Sequence, residues 1–147
     1  MINITSTSVE QTEALGCKIG QLLKAGDVIA LDGDLGAGKT AITRGIAIGM
    51  GLADAYVCSP TFTIVNEYPG KLTMYHFDTY RLAGSDDFLD SGLDEYFYMG
   101  GVCVIEWSKV IDDLLPEGTI RIVITGVGDS RNIAIDGDDR FSGLVEG

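Results

Sequence analysis

Gly33-Asp34-Leu35-Gly36-Ala37-Gly38-Lys39-Thr40 satisfies the pattern G-x-x-x-x-G-K-[ST] at every position. Its glycines let the backbone curl so that successive amides, from about Gly36 to Ala41, point inward around a polyphosphate, where a helix N-terminus adds partial positive charge. Lys39 is expected to reach the terminal phosphates as a mobile point charge, and the Thr40 hydroxyl to ligate a magnesium ion bridging them. The expected binding set is Gly33, Gly36, Ala37, Gly38, Lys39, Thr40 and Ala41, and the expected ligands are ATP and Mg2+. A Gly-rich turn can match such a pattern by chance, so the flanking elements decide: a strand must lead in and a helix must follow.

Hydrolysis needs a carboxylate on the metal side and a group that orients water. Two acidic residues qualify. Asp78 follows His76-Phe77, and Glu106 follows the apolar run Val102 to Ile105, so both sit at strand ends that open onto the crevice where α/β sheets bind ligands. Glu106 is favoured for the metal side, against the plainer reading of either as a solvated loop carboxylate. His76, the sole histidine, either faces the site or is a hydrogen-bonded structural residue. Trp107 either covers the site or packs in the core. The stretch Ser59-Pro60-Thr61-Phe62-Thr63 reads as a loop that orders on a γ-phosphate, or as an ordinary connection.

The elements that must position these residues are legible in the pattern. Thr7 and Ser8 are candidate N-caps, and Leu15, Ile19, Leu22 and Leu23 recur at helical spacing toward Gly26. Val28 to Leu31 is a buried strand against Gly33, and a helix runs from about Lys39 to Met50 until Gly51 stops it. This is the context that the Gly-rich pattern requires. Two strands, Ile64 to Tyr68 and Leu72 to Phe77, flank Pro69-Gly70-Lys71 as a hairpin. Short helices are expected at 85–89 and 93–98, a strand at 102–105, a helical stretch at 108–115, a strand at 120–125 and a weaker one at 133–135. The Gly/Asp-rich tail from Gly126 onward looks loosely specified. The expected fold is α/β of the P-loop NTPase type, three-layered, with a mixed, mostly parallel central sheet that includes a β-hairpin, in one domain over 1–147.

With 22 acidic and 10 basic residues the net charge is −12, which disfavours autonomous binding of nucleic acid. The acidity serves either solubility or a basic protein partner. Cys17, Cys58 and Cys103 have no metal-like spacing and read as reduced packing residues. The start of the chain has neither a basic region nor an apolar stretch, and no run approaches the roughly 18 apolar residues of a membrane span. A cytoplasmic location is therefore expected. Guanine-specific proteins carry an N-K-x-D type element, and the nearest string, Ser108 to Asp112, misplaces its aspartate, so ATP is favoured over GTP. The arginines Arg44, Arg81, Arg121, Arg131 and Arg140 do not cluster as a kinase clamp. A small ATPase switch acting on partners is preferred, with a small-molecule kinase using Asp78 as base as the alternative.

In order along the chain, the Gly33 to Thr40 loop, Ser59-Pro60-Thr61-Phe62, His76-Phe77-Asp78-Thr79-Tyr80-Arg81 and Glu106-Trp107 resemble the TsaE (YjeE) family, the small ATPases of bacterial tRNA threonylcarbamoyladenosine biosynthesis. The resemblance covers nearly the whole chain. It implies an ATPase of weak basal activity that works with TsaD and TsaB type proteins and meets tRNA only through them, without a membrane, as a monomer or weak dimer when isolated. By matched position it implies Thr40 and Glu106 as magnesium ligands, Asp78 as a catalytic carboxylate, and Lys39 and Trp107 as residues needed for activity. The family's frequent second threonine after Lys39 is replaced by Ala41, which removes a hydroxyl near the α-phosphate and keeps the amide.

Overall fold

A computed structural model describes residues 2–33, 38–52, 65–80, 82–126 and 130–146. Strand β1 (Ile2–Ser6) leads to helix α1 (Val9–Leu22), β2 (Val28–Gly33) and α2 (Lys39–Gly49). Then follow β3 (Val65–Tyr68), β4 (Met74–Asp78), the short α3 (Ser85–Asp90) and a 3-10 helix at Leu93–Tyr98. β5 (Val102–Glu106), a 3-10 helix at Ser108–Leu114 kinked at Ile111, β6 (Ile120–Thr125), β7 (Arg131–Asp136) and a 3-10 helix at Asp139–Glu146 complete the order. The strands form one sheet in the order β1-β7-β6-β2-β5-β4-β3. β6, β2, β5 and β4 run parallel, and the antiparallel pairs β3–β4, β6–β7 and β7–β1 lie outside them.

Within the parallel set, β2 and β5 lie at the centre because their side chains are apolar on both faces, whereas β6 alternates, burying Ile120, Ile122 and Ile124 and exposing Arg121, Val123 and Thr125. β5 is buried at every position, and β2 is buried from Val28 to Leu31. Ile29, Leu31, Met74, Val104, Ile122 and Ile124 face α1 and α2, whose Ile19, Ile42 and Ile46 are fully buried against them. Each such side chain contributes about 2–3 kcal/mol by leaving water. Phe77, Cys103 and Ile105 face the opposite way, onto Phe88 of α3 and Phe97 and Ile111 of the 3-10 helices.

α1 starts where Ser8 accepts the Gln11 amide at 3.1 Å, while the Gln11 side chain accepts the Thr7 amide at 2.8 Å. It ends at Leu22, one turn short of Gly26. α1 and α2 approach backbone to backbone. A Cβ at Gly16 would lie 2.4 Å from the Ile42 carbonyl oxygen, and one at Gly45 would lie 2.1 Å from that of Glu13. The pairs Gly16/Gly20 and Gly45/Gly49 thus lock the two helices into one layer.

The hairpin expected around Pro69 to Lys71 is present, with Val65 opposite Phe77 and Tyr68 opposite Met74. The expectation of a loosely specified tail from Gly126 is corrected. β7 occupies Arg131–Asp136 with Ile133 and Ile135 buried, and Phe141 of the last 3-10 helix is fully buried. Arg140 anchors that segment by holding both Asp27 carboxylate oxygens, at 2.7 and 2.9 Å, and the Leu22 carbonyl at 3.1 Å. β1 lay outside the expectations altogether. Among the described residues, no helix is long and apolar enough to cross a membrane.

Candidate functional site

The C-terminal ends of β2, β4 and β5 open toward the start of α2. Gly33 closes β2 with φ +154°, and a Cβ there would lie 2.3 Å from the Ile124 carbonyl oxygen of β6, so no side chain fits. Gly38 caps α2 in the left-handed region (φ 100°, ψ 18°), and no side chain caps the helix. The Ile42 amide makes the bond to the Gly38 carbonyl, at 3.1 Å. The N–H groups of a helix's first turn have no intrahelical partner and carry its partial positive charge, which favours negative charge at this end. Lys39 opens the helix and is largely buried; its Nζ donates to the Gly33 carbonyl at 3.2 Å and lies 4.4 Å from the centroid of the Trp107 ring. Thr40 follows at the next position.

Glu106 is the last residue of β5, paired with Leu31 of β2 on one side and Asp78 of β4 on the other. Alternation along the strands puts Glu106 on the same face as Val104, and Asp78 and His76 on that of Met74, which is the face covered by α1 and α2. Both acidic residues singled out in the sequence therefore lie side by side at the strand exits. Their environments differ: Glu106 is only 4% exposed, whereas Asp78 is half-buried and its carboxylate accepts the Tyr80 amide at 3.0 Å. His76 is fully buried, and its Nε2 stands 2.7 Å from Glu106 Oε2. Of the two readings of His76, that contact meets the hydrogen-bonded one.

Trp107 is the one non-glycine residue with positive φ among the described residues (φ 60°, ψ 39°). A left-handed turn at a bulky residue costs about 1–2 kcal/mol and persists only if its surroundings impose it. They do so from both sides. Thr79, fully buried at the exit of β4, donates its hydroxyl to the Trp107 carbonyl at 2.7 Å. The Asp32 carboxylate, at the exit of β2, accepts the Ser108 amide at 2.9 Å and the Ser108 hydroxyl at 2.5 Å. Trp107 is thereby turned out of the core to lie between Lys39 and Tyr80, whose ring centroid is 4.9 Å away. On the far face of the sheet a cavity of about 780 Å³ opens beside it, lined among others by Asp32, Gly33, Lys109, Arg121 and Thr125.

The structure thus brings Gly33, Gly38, Lys39, Thr40, Ala41, Asp78, Glu106 and Trp107 to one end of the sheet. Gly36, Ala37, Arg81 and the Ser59 to Thr63 loop lie outside the described residues. Asp32 and Thr79 are site-building residues that the sequence reading missed. Asp32 carried the signal used for Glu106, a carboxylate closing an apolar strand; Thr79 carried none.

Hard oxygen donors suit magnesium, which usually takes one or two protein oxygens and fills its octahedron with phosphates and water. A buried carboxylate and a hydroxyl at a helix start are such a set, and the Glu106 contact to His76 engages Oε2. The residues present fit the ion.

Fold and site together define a three-layer α/β protein in which a G-x-x-x-x-G-K-T sequence links a central parallel strand to the helix that follows it. The family model described as "Threonylcarbamoyl adenosine biosynthesis protein TsaE" matches residues 6–133, and the chain belongs to the TsaE family. It is 44% identical over 131 residues to the tRNA threonylcarbamoyladenosine biosynthesis protein TsaE of Treponema pallidum (strain Nichols), covering 88% of this chain and 96% of that one. It is 48% identical over 123 residues to the protein of the same name from Bacillus subtilis (strain 168), covering 83% and 76%. The crystal structure of Bacillus subtilis YdiB superimposes with a TM-score of 0.77 at 38% identity, over 99% of this chain and 91% of that one.

Proposed function

We propose that this protein is the Mg-dependent ATP-binding and ATP-hydrolysing subunit of the tRNA threonylcarbamoyladenosine machinery, and that it acts by ATP-driven switching on a TsaD/TsaB type transferase complex. The observation that carries the reading is the convergence of Lys39, Glu106 and Asp78 near the Gly38-capped N-terminus of α2. In this reading the Gly33 to Thr40 loop and the first-turn amides hold the phosphates, with the Ala41 amide at the end of the cradle. Lys39 leaves the Trp107 ring and the Gly33 carbonyl to pair with the terminal phosphates. Thr40 and Glu106 hold the magnesium ion, which supplies positive charge where negative charge develops in phosphoryl transfer. Asp78, half-buried at the adjacent strand exit, accepts a proton from or orients the attacking water. Trp107 shields that corner from bulk solvent. The acidic surface fits a subunit that leaves tRNA to its partners.

The test is ATP hydrolysis by the purified chain alone and with TsaB and TsaD, in wild type and Lys39→Ala. Partner-stimulated turnover abolished by Lys39→Ala is the expected result. Turnover on the order of ten per second without partners would contradict the switch. ATP consumption coupled to a phosphorylated metabolite would establish a small-molecule kinase instead.

A further inference from the structure

Among the strands that face α1 and α2, His76 is out of place. Its strand neighbour in β5, Val104, and the preceding residue on its own face, Met74, are both fully buried in the apolar cluster. An aliphatic side chain would pack there at no polar cost. His76 instead buries an imidazole whose Nδ1 has no hydrogen-bond partner among the described residues. Leaving a polar atom unpaired in the interior costs about 1–3 kcal/mol. Among the described residues its one hydrogen bond is to Glu106. A bare lone pair is cheaper to bury than a bare N–H, so the hydrogen sits on Nε2, which donates to Glu106 Oε2 at 2.7 Å.

We infer that His76 is the positioning residue of Glu106: it occupies Oε2, fixes the plane of the carboxylate, and leaves Oε1 as the single oxygen offered to a divalent cation. The inference rests on the assignment of Glu106 to the metal side. The geometry suits the role. His76 reaches one step up the neighbouring parallel strand, from the level of Val104 to that of Glu106, so the bond is set by sheet register rather than by a loop. A glutamate otherwise has three side-chain torsions to order before it can bind an ion, and hydrogen bonds to a ligating carboxylate typically change metal affinity by about 10–100-fold.

Mn2+ binding to the protein–ADP complex, followed by electron paramagnetic resonance, reads this without any turnover. Four chains are compared: wild type, Glu106→Gln, His76→Leu and His76→Gln. ADP affinity in the absence of metal is measured beside it. His76→Leu should weaken Mn2+ binding by about 10–100-fold and leave metal-free ADP affinity unchanged. His76→Gln, which can place an amide N–H near the Nε2 position, should restore most of the loss. If His76→Leu fails to fold, His76→Asn replaces it, since its amide is too short to reach Oε2 and should show the same loss. Weakening by Glu106→Gln but by neither His76→Leu nor His76→Asn overturns the positioning role alone. Unchanged Mn2+ binding in Glu106→Gln overturns the metal assignment and the inference with it.

Discussion

The ammonium of Lys39 rests 4.4 Å from the centre of the Trp107 ring, where the π-face of the indole stands in for an anion. The contact is worth about 0.5–2 kcal/mol, less than a charge-assisted bond to phosphate, so nucleotide should draw the lysine away. Trp107 is the sole tryptophan, so its emission reports the event directly. Adding ATP should change the fluorescence of wild type and leave that of Lys39→Met nearly unchanged. Equal responses in the two would separate Trp107 from the lysine.

Glu106 and Asp78 are neighbours in register but differ in burial, and their substitutions should differ accordingly. Glu106→Gln should reduce magnesium-dependent hydrolysis by at least about tenfold while metal-free nucleotide affinity stays within about twofold, because one charge is removed and the phosphate cradle is untouched. Asp78→Asn should lower turnover without altering the magnesium dependence. Equal loss of binding and hydrolysis in Glu106→Gln would count against its place at the metal.

The α1–α2 contact lies one layer behind the site and carries the start of α2 with it. Gly45→Ala puts a methyl group 2.1 Å from the Glu13 carbonyl oxygen, so the helices must separate. A loss of about 1–3 kcal/mol or more is expected in urea unfolding. Nucleotide affinity should fall with it, since α2 supplies Lys39 and Thr40. A variant as stable as wild type would show that the helices are not held at this separation.

Burial pushes the Cys103 thiol up to about 12 from its ordinary 9.0, and its hydrogen is directed at the Tyr96 carbonyl at 3.5 Å. Iodoacetamide at pH 8 should therefore label the half-buried Cys17 and spare Cys103 until the chain unfolds. The same shift has a fixed sign in stability. Because the folded value is raised, its contribution is complete below pH 9 and is lost as pH rises toward 12, a fall of roughly 4 kcal/mol across that window. Urea midpoints that stay constant from pH 8 to the limit of solubility would contradict it.

Local signals carried the strand–loop–helix unit around Gly33 to Lys39, the hairpin before Asp78 and the strand ending at Glu106, because each lies within one short run of residues. What was not legible depends on distant register. The His76–Glu106, Thr79–Trp107 and Asp32–Ser108 contacts join residues 30, 28 and 76 positions apart. β7 was faint because the period-two pair Ile133 and Ile135 is embedded in Gly- and Asp-rich sequence. β1 gives a weak pattern, because Ile2 and Ile4 alternate with Asn3 and Thr5 on a half-exposed edge strand. The close approach of Gly16 and Gly20 to Gly45 and Gly49 joins two helices and has no signature within either run.

The most direct test of the account is calorimetric titration of ATP into wild type and Lys39→Ala, with and without magnesium. Wild type should bind one nucleotide per chain, tighter with the metal, and Lys39→Ala should bind about 10–100-fold more weakly, the loss expected for one charged hydrogen bond. Absence of ATP binding in wild type, or equal affinity in the two chains, would contradict the assignment of Gly33 to Thr40 as the phosphate-binding loop.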